Sequence, residues 1–158
     1  MLFALMFLSL VASPKESIKS SEDLIRAMHD RYAKSWYKTA TFVQKTTDFS
    51  PDGTSKATIW YEAMSVPGKL RIDIDPINDG NGILFADDTV HRFQGGELKQ
   101  SQPFLHPLMV LGFDVYGIAA SETLAKLQKL GFDLTILRED TWQGRAAFVV
   151  GAKAGDER

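Results

Sequence analysis

The residue types that perform chemistry in proteins are few and scattered in this sequence. Its three histidines, His29, His91 and His106, lie far apart, and none has a second ligand-type residue at the spacing of a metal-binding pair. Ser101, His106 and Asp114 are the residue types of a hydrolase triad, but their spacing matches no nucleophile motif. The chain has no cysteine, which excludes thiol catalysis, disulfides and zinc sites built from thiolates.

Two loop sequences resemble ligand-binding loops only superficially. Residues 75–82, DPINDGNG, begin like a calcium loop, but Ile77 stands where an EF-hand needs an oxygen ligand. The GNG string lies between two predicted strands, whereas a phosphate-binding glycine loop leads into a helix. Asp73 is best explained as part of the solvated face of a strand. We therefore expect no enzyme activity, no metal and no cofactor; an unrecognised hydrolase site at His91 or His106 is the less favoured alternative.

The bulk composition describes one globular domain with ordinary proportions. The chain has 158 residues, of which 44% are hydrophobic and 24% charged, enough for a single packed core. Its formal net charge is -2. Because general nucleic-acid binders carry a basic surface, we expect no nucleic-acid partner, and we expect a monomer.

The amino terminus is an apolar segment with the features of a signal peptide. Residues 2–12, LFALMFLSLVA, carry no charge and are too short for a membrane-spanning helix of about 20 residues. Small residues and then polar sequence follow, as at a cleavage site. We expect residues 1–12 to be a secretory signal peptide, incomplete because no basic residues precede the apolar run. The alternative is a first core helix or strand.

The elements that follow predict a helix, a β-meander, a second helix and a final hairpin. Ser20 or Ser21 caps a first helix that reaches about Trp36, with carboxylates in its first turn. A second helix starts at a Ser121 cap and stops at Gly131. Short strands joined by tight turns are predicted over residues 38–49, 55–64, 69–75, 83–86, 89–93, 98–101, 132–140 and 145–153.

The sequence contains more apolar surface than one plain sheet needs. In KLRIDID, residues 69–75, apolar and charged residues alternate strictly, so one strand face is dry and the other wet. In contrast, the strand at 83–86 is apolar on both faces, and the stretch 102–119 is apolar without a regular period. We predict an α+β fold in which helices cover the concave face of a strongly curved antiparallel sheet, an unclosed β-barrel. The space between is either a filled core or an apolar cavity.

Four short strings resemble the LolA-like family of periplasmic lipoprotein carriers and outer-membrane lipoprotein-sorting proteins. They are SEDLIRAMHDRY, TATFVQKTTD, VPGKLRID and GILFADDTVHRF, in this order. In that family a helix precedes a strand with an F-x-Q-K pattern, here Phe42, Gln44 and Lys45. The next strand ends in a turn of the P-(G/N)-x-(L/F)-R type, here residues 67–71. The resemblance extends from Ser20 to the end of the chain.

The resemblance implies a single domain over residues 13–158, in which a helical lid closes an apolar cavity for lipoprotein acyl chains. It implies a periplasmic location, acyl chains of lipoproteins or other lipids as ligands, membrane-bound donor and acceptor proteins as partners, and no enzyme activity. The chain differs from the family pattern in two respects. Val66 stands where the carrier has an arginine linked to lid opening, and the family's later strands are missing, so we expect a chain truncated at its carboxyl terminus.

Candidate lipid-binding residues follow from this combination of pattern and resemblance. The candidate wall residues are Phe42, Trp60, Leu70, Ile72, Ile74, Leu84 and Phe93, and the candidate lid residues are Phe104, Leu108, Met109 and Phe113. Acyl chains would enter as the apolar lid segment moves. The alternative function is an envelope sensor or protein-interaction module on the same scaffold.

Overall fold

The structure, a computed structural model, describes residues 17–156, so the predicted signal peptide at residues 1–12 lies outside the described residues. The described part is an α+β fold with a six-stranded antiparallel sheet, a separate two-stranded sheet and three α-helices. The helices are α1 (Ser21–Tyr32), α2 (Pro107–Gly112) and α3 (Ala120–Lys129). The strands are β1 (Thr39–Phe49), β2 (Ser55–Ser65), β3 (Lys69–Ile74), β4 (Gly82–Ala86), β5 (Thr89–Gln94), β6 (Glu97–Pro103), β7 (Leu137–Trp142) and β8 (Arg145–Val150).

The main sheet is an open meander. Strands β1 to β6 lie side by side in chain order, each antiparallel to the next, and β7 pairs only with β8. Within the described residues, β1 and β6 form the two edges of the main sheet. The predicted open antiparallel sheet is confirmed in this coarse form. Strong curvature, with helices over the concave side, stays a prediction.

Local sequence explains where α1 begins. The Ser20 hydroxyl accepts a hydrogen bond from the Asp23 N–H at 3.0 Å, the predicted N-terminal cap. The helix ends at Tyr32, one turn before the predicted Trp36. The indole of Trp36 instead packs on the ring of Tyr116, with 4.2 Å between ring centroids. The residue predicted to end the helix therefore makes a tertiary aromatic contact beyond it.

The later elements differ more from the sequence-based prediction. The helix α3 begins at Ala120 with Ala119 at the cap position and no side-chain cap, so the predicted Ser121 cap is wrong. Its end is as predicted, because Gly131 follows with a φ of +85°. The strand β7 begins five residues later than predicted, since the Asp133 carboxylate binds the N–H of Thr135 and closes a local turn first.

Two hydrophobic clusters meet at α2. The sheet cluster is formed by buried residues of β2 to β5 and α2, namely Met64, Leu70, Ile72, Phe85, Val90 and Met109. The helix cluster is formed by Ile25, Val110, Val115 and Leu127. Because the neighbours Met109 and Val110 belong to different clusters, α2 lies between the sheet and the other helices.

Polar contacts attach the helices to one end of the sheet. The buried Asp114, in a short 3-10 turn after α2, accepts a hydrogen bond from the Gly68 N–H at 2.8 Å. Lys126 and Lys129 of α3 form ion pairs with Asp88 at 3.3 and 3.2 Å. Gly68 lies in the β2–β3 turn and Asp88 in the β4–β5 turn, which a meander places at the same end of the sheet.

Candidate functional site

The strand register assigns each residue of the sheet to one of two faces. Leu70 lies opposite Met64 on β2 and opposite Phe85 on β4. Because side chains directly opposite each other share a face, the same side of the sheet carries the residues of the sheet cluster. We call this side the apolar face; it carries Ala40, Phe42, Trp60, Glu62, Met64, Leu70, Ile72, Ile74, Ile83, Phe85 and Val90.

Five of the seven candidate wall residues share the apolar face, and two do not. The five are Phe42, Trp60, Leu70, Ile72 and Ile74. Leu84 is directly opposite Arg71 and His91 and therefore lies on the other face. Phe93 lies on that face as well, and the Arg71 guanidinium stacks over its ring, 4.8 Å from the ring centroid. The assignment of Leu84 and Phe93 to the same wall is wrong. The strand β4 is apolar on both sides, so its composition did not reveal which residues point inward.

The candidate lid residues are also split. Met109 is 6% exposed within the sheet cluster, and Phe113 packs against that cluster. The ring of Phe104 lies 6.0 Å from that of Phe85, at the same end of the sheet. Leu108 is 64% exposed and turns away from the sheet. A six-residue helix presents only one side to its partner, which explains why adjacent candidates differ.

The space beneath α2 is filled by side chains. A void of about 10 Å³ remains there, lined among others by Phe85, His106 and Met109. That volume holds about one water molecule and no acyl chain. The sequence left open whether this space is a filled core or an apolar cavity. With α2 in its present position, the space beneath it is a filled core.

The apolar face continues beyond α2 toward the edge strand β1. There the side chain of Phe42 is 37% exposed, and Trp60 and Ile74 are half-buried. The Trp60 indole N–H donates to the Thr58 hydroxyl at 3.0 Å, so the indole has its hydrogen bond without a ligand. This uncovered part of the apolar face therefore has apolar side chains that remain partly exposed to solvent.

A carboxyl group interrupts this dry area. Glu62 is 7% exposed and lies between Phe42 on β1 and Ile72 on β3. Its Oε1 is buried and has no hydrogen-bond partner among the described residues. Burial raises the pKa of the Glu62 carboxyl. Glu62 was not among the candidate residues, although its spacing to Trp60 and Met64 places all three on the same face of one strand.

The opposite face carries charges and a shallow trough. Arg71 Nε donates to Asp73 Oδ1 at 2.8 Å, and the guanidinium crosses above Gly82 to reach Phe93. A Cβ at Gly82 would lie 2.5 Å from the Ile72 carbonyl oxygen, so the close approach of the two backbones at this point requires glycine. The trough, of about 320 Å³, is open and is lined among others by Val43, Tyr61 and Asp73.

The candidate chemical groups are not assembled into a catalytic site. His106 Nδ1 accepts from the Leu108 N–H at 3.2 Å and so caps α2, while Asp114 binds Gly68. Burial lowers the pKa of His106. Ser101 lies with its hydroxyl 2.8 Å from His91 Nδ1, on the sheet rather than beside His106. Residues 17–156 contain no cluster of three or more ligand-type side chains that would hold a metal ion.

Comparison of the chain with protein-family models, with curated proteins and with solved structures found no match. Within residues 17–156, no helix combines the length and the apolar composition needed to cross a lipid bilayer. The apolar face and its groups are therefore the features of the molecule that point to a function.

Proposed function

We propose that this chain is an exported binding protein that carries the acyl chains of lipoproteins or other lipids on the apolar face of its sheet. In this proposal it has the LolA-like scaffold, acts in the periplasm in outer-membrane lipoprotein sorting, and exchanges its ligand with membrane-bound donor and acceptor proteins. The sheet curves with the apolar face inside, and α2 is the movable lid. The observation that carries the proposal is the continuation of the apolar face beyond α2, where Phe42 is 37% exposed.

The physical basis is the transfer of hydrocarbon out of water. Each buried methylene contributes roughly 0.8 kcal/mol, so a dodecyl chain contributes roughly 9 kcal/mol if it is fully covered. Binding of this kind needs dry wall area and no catalytic group. The uncovered part of the apolar face supplies such area at Phe42, Trp60 and Ile74.

Full enclosure of a chain requires α2 to move, since the space beneath it holds about 10 Å³. Lifting α2 would expose Met109 and Phe113, at a cost of roughly 3–6 kcal/mol for two large apolar side chains. Burial of a dodecyl chain, at roughly 9 kcal/mol, exceeds this cost, whereas burial of a chain half that length contributes only about as much as the cost itself. The proposal therefore favours long-chain over short-chain ligands.

The experiment uses two neighbouring residues whose side chains lie on opposite faces of β1. Phe42 lies on the apolar face, and Val43 lies on the other face and is 62% exposed. We expect Phe42→Ser to weaken binding of the uncharged probe diphenylhexatriene by roughly three- to tenfold, because it removes part of the dry contact area. Val43→Ser is the matched control and should leave binding unchanged.

Lipid extraction from protein purified from its own envelope completes the test. Mass spectrometry should find acyl lipids with the wild-type protein and less with Phe42→Ser. The proposal fails if the wild-type protein neither retains lipid nor binds diphenylhexatriene. Equal losses in the Phe42 and Val43 variants would also refute it, because binding would not depend on the apolar face.

A second candidate function is suggested by the edge strand β1. This strand of 11 residues pairs only with β2 among the described residues, and it exposes 62% of Val43 and 80% of Phe49. An edge of this length can accept an extended segment of another protein as an added strand. A photo-crosslinker at Val43 that captures an envelope protein, with none captured from Leu98 on β6, would favour this sensor or interaction module.

A further inference from the structure

Glu62 points to the chemistry of the ligand's polar end. Glu62 is more than nine-tenths buried as a residue, and its Oε1 is buried with no hydrogen-bond partner among the described residues. Its strand neighbours on the same face are Phe42, Trp60, Met64 and Ile72, none of which donates to it. A buried carboxyl oxygen without a donor is unfavourable, and native proteins contain few such groups, so each calls for a physical explanation, of which a ligand is one.

We propose that Glu62 receives the polar head of the bound amphiphile, and that this head is a hydrogen-bond donor, an ammonium, hydroxyl or amide N–H, rather than an anion. This inference rests on the proposed function, because it assigns a role within the same apolar face. A buried carboxylate accepts hydrogen bonds and attracts positive charge, whereas it repels a fatty-acid carboxylate or a phosphate.

Glu62 lies directly beside the exposed part of the apolar face. Phe42 is directly opposite it on the edge strand, and side chains in such pairs have Cβ atoms about 5 Å apart. A chain lying across the exposed part of Phe42 therefore brings its polar end within reach of the carboxyl group. The remainder of the chain then covers Trp60 and Ile74 on the same face.

No charged group near Glu62 among the described residues supplies the missing hydrogen bond. On the apolar face, its neighbours along and across the strands are uncharged, and the nearest charged strand positions are Lys56 and Asp48 at the β1–β2 hairpin end and Arg92 on β5. On the helical side, the titratable groups His106 and Asp114 are engaged in other hydrogen bonds, His106 with the Leu108 N–H at the start of α2 and Asp114 with the Gly68 N–H. No described cation is hydrogen-bonded to the Glu62 carboxyl.

The test compares three dodecyl amphiphiles, dodecylammonium, dodecanol and dodecanoate, as competitors of diphenylhexatriene at about pH 8, where the carboxyl group is more ionised than at neutral pH. We expect the wild-type protein to bind dodecylammonium at least roughly tenfold more tightly than dodecanoate. Glu62→Gln should abolish this preference, and Glu139→Gln, at an exposed glutamate of β7, should preserve it.

The outcomes separate this inference from the proposed function. If diphenylhexatriene does not bind at all, the proposed function fails and this inference fails with it. If the probe binds but all three amphiphiles displace it equally, in wild type and in Glu62→Gln, only the inference about Glu62 is overturned. A Glu62→Leu variant checks the same point without ligand: it should unfold at higher temperature than wild type, and a lower unfolding temperature would show that the carboxyl has an internal structural role.

Discussion

Replacing Glu62 by leucine should stabilise the protein, which is unusual for a substitution at a buried position. Glu62 is 7% exposed, its Oε1 is buried without a partner, and it lies between Phe42 and Ile72. A buried polar group without a hydrogen bond costs about 1–3 kcal/mol, and leucine of similar volume removes that cost. We expect the free energy of unfolding at neutral pH to rise by about that amount, which corresponds to roughly 2–12 °C for a domain of this size.

The same substitution should change the pH dependence of stability. Burial raises the pKa of Glu62 above its ordinary value of 4.5, so the folded state holds the proton to higher pH than the unfolded state does. The contribution of Glu62 to stability is therefore most favourable below that value and is lost as the pH rises through the folded-state pKa. Each unit by which the folded pKa exceeds the unfolded one corresponds to about 1.4 kcal/mol. Glu62→Leu lacks this loss, so its advantage should be smaller at about pH 4 than at about pH 8.

Urea unfolding followed by circular dichroism across this pH range measures the difference between variant and wild type. The difference is needed because burial also raises the pKa of Asp114, which contributes a slope of the same sign to both proteins. Glu139→Leu, at an exposed position, is the control and should change stability little at any pH. The reasoning is refuted if Glu62→Leu is less stable than wild type at neutral pH, or if its advantage does not depend on pH.

Three further substitutions test a close backbone approach, a buried hydrogen bond and a helix cap. Gly82→Ala should lower the free energy of unfolding by about 1–3 kcal/mol in urea, because its Cβ would lie 2.5 Å from the Ile72 carbonyl oxygen; unchanged stability would contradict this close approach. Asp114→Ala should cost about 1–3 kcal/mol because it leaves the Gly68 N–H unpaired, while Asp114→Asn keeps an acceptor; equal losses in both variants would contradict the hydrogen-bond argument. Ser20→Ala should cost about 1 kcal/mol in a thermal melt through loss of the α1 cap, and Ser20→Asp should not.

The strands of the main sheet could be predicted because period-two alternation and turn residues act locally. KLRIDID became β3 with Leu70 and Ile72 buried, and the turn at residues 50–53 joins β1 to β2 as predicted. The face of β4 could not be predicted, because a strand that is apolar on both sides has no parity signal. Only its register with β3 shows that Phe85 points to the sheet cluster and Leu84 away from it.

The helical part was harder to predict because tertiary contacts determine it. The helix α2 has six residues and lies in an apolar stretch without a period, so no repeat marked it in the sequence. Its position depends on His106 at its start and on Met109 and Val110, which pack in two different directions. Such contacts depend on residues far apart in the chain, which a local pattern does not contain.

Two unfavourable features lie side by side on the apolar face, and this adjacency is the strongest argument for a ligand. Phe42 leaves 37% of a large aromatic surface exposed, and Glu62, its direct partner across the strands, buries a carboxyl oxygen without a donor. Either feature alone is common enough in stable proteins. Together they match one occupant, since the hydrocarbon of an amphiphile would cover Phe42 while its donating head satisfies Glu62. A fully internal explanation would need two unrelated compensations at a single residue pair.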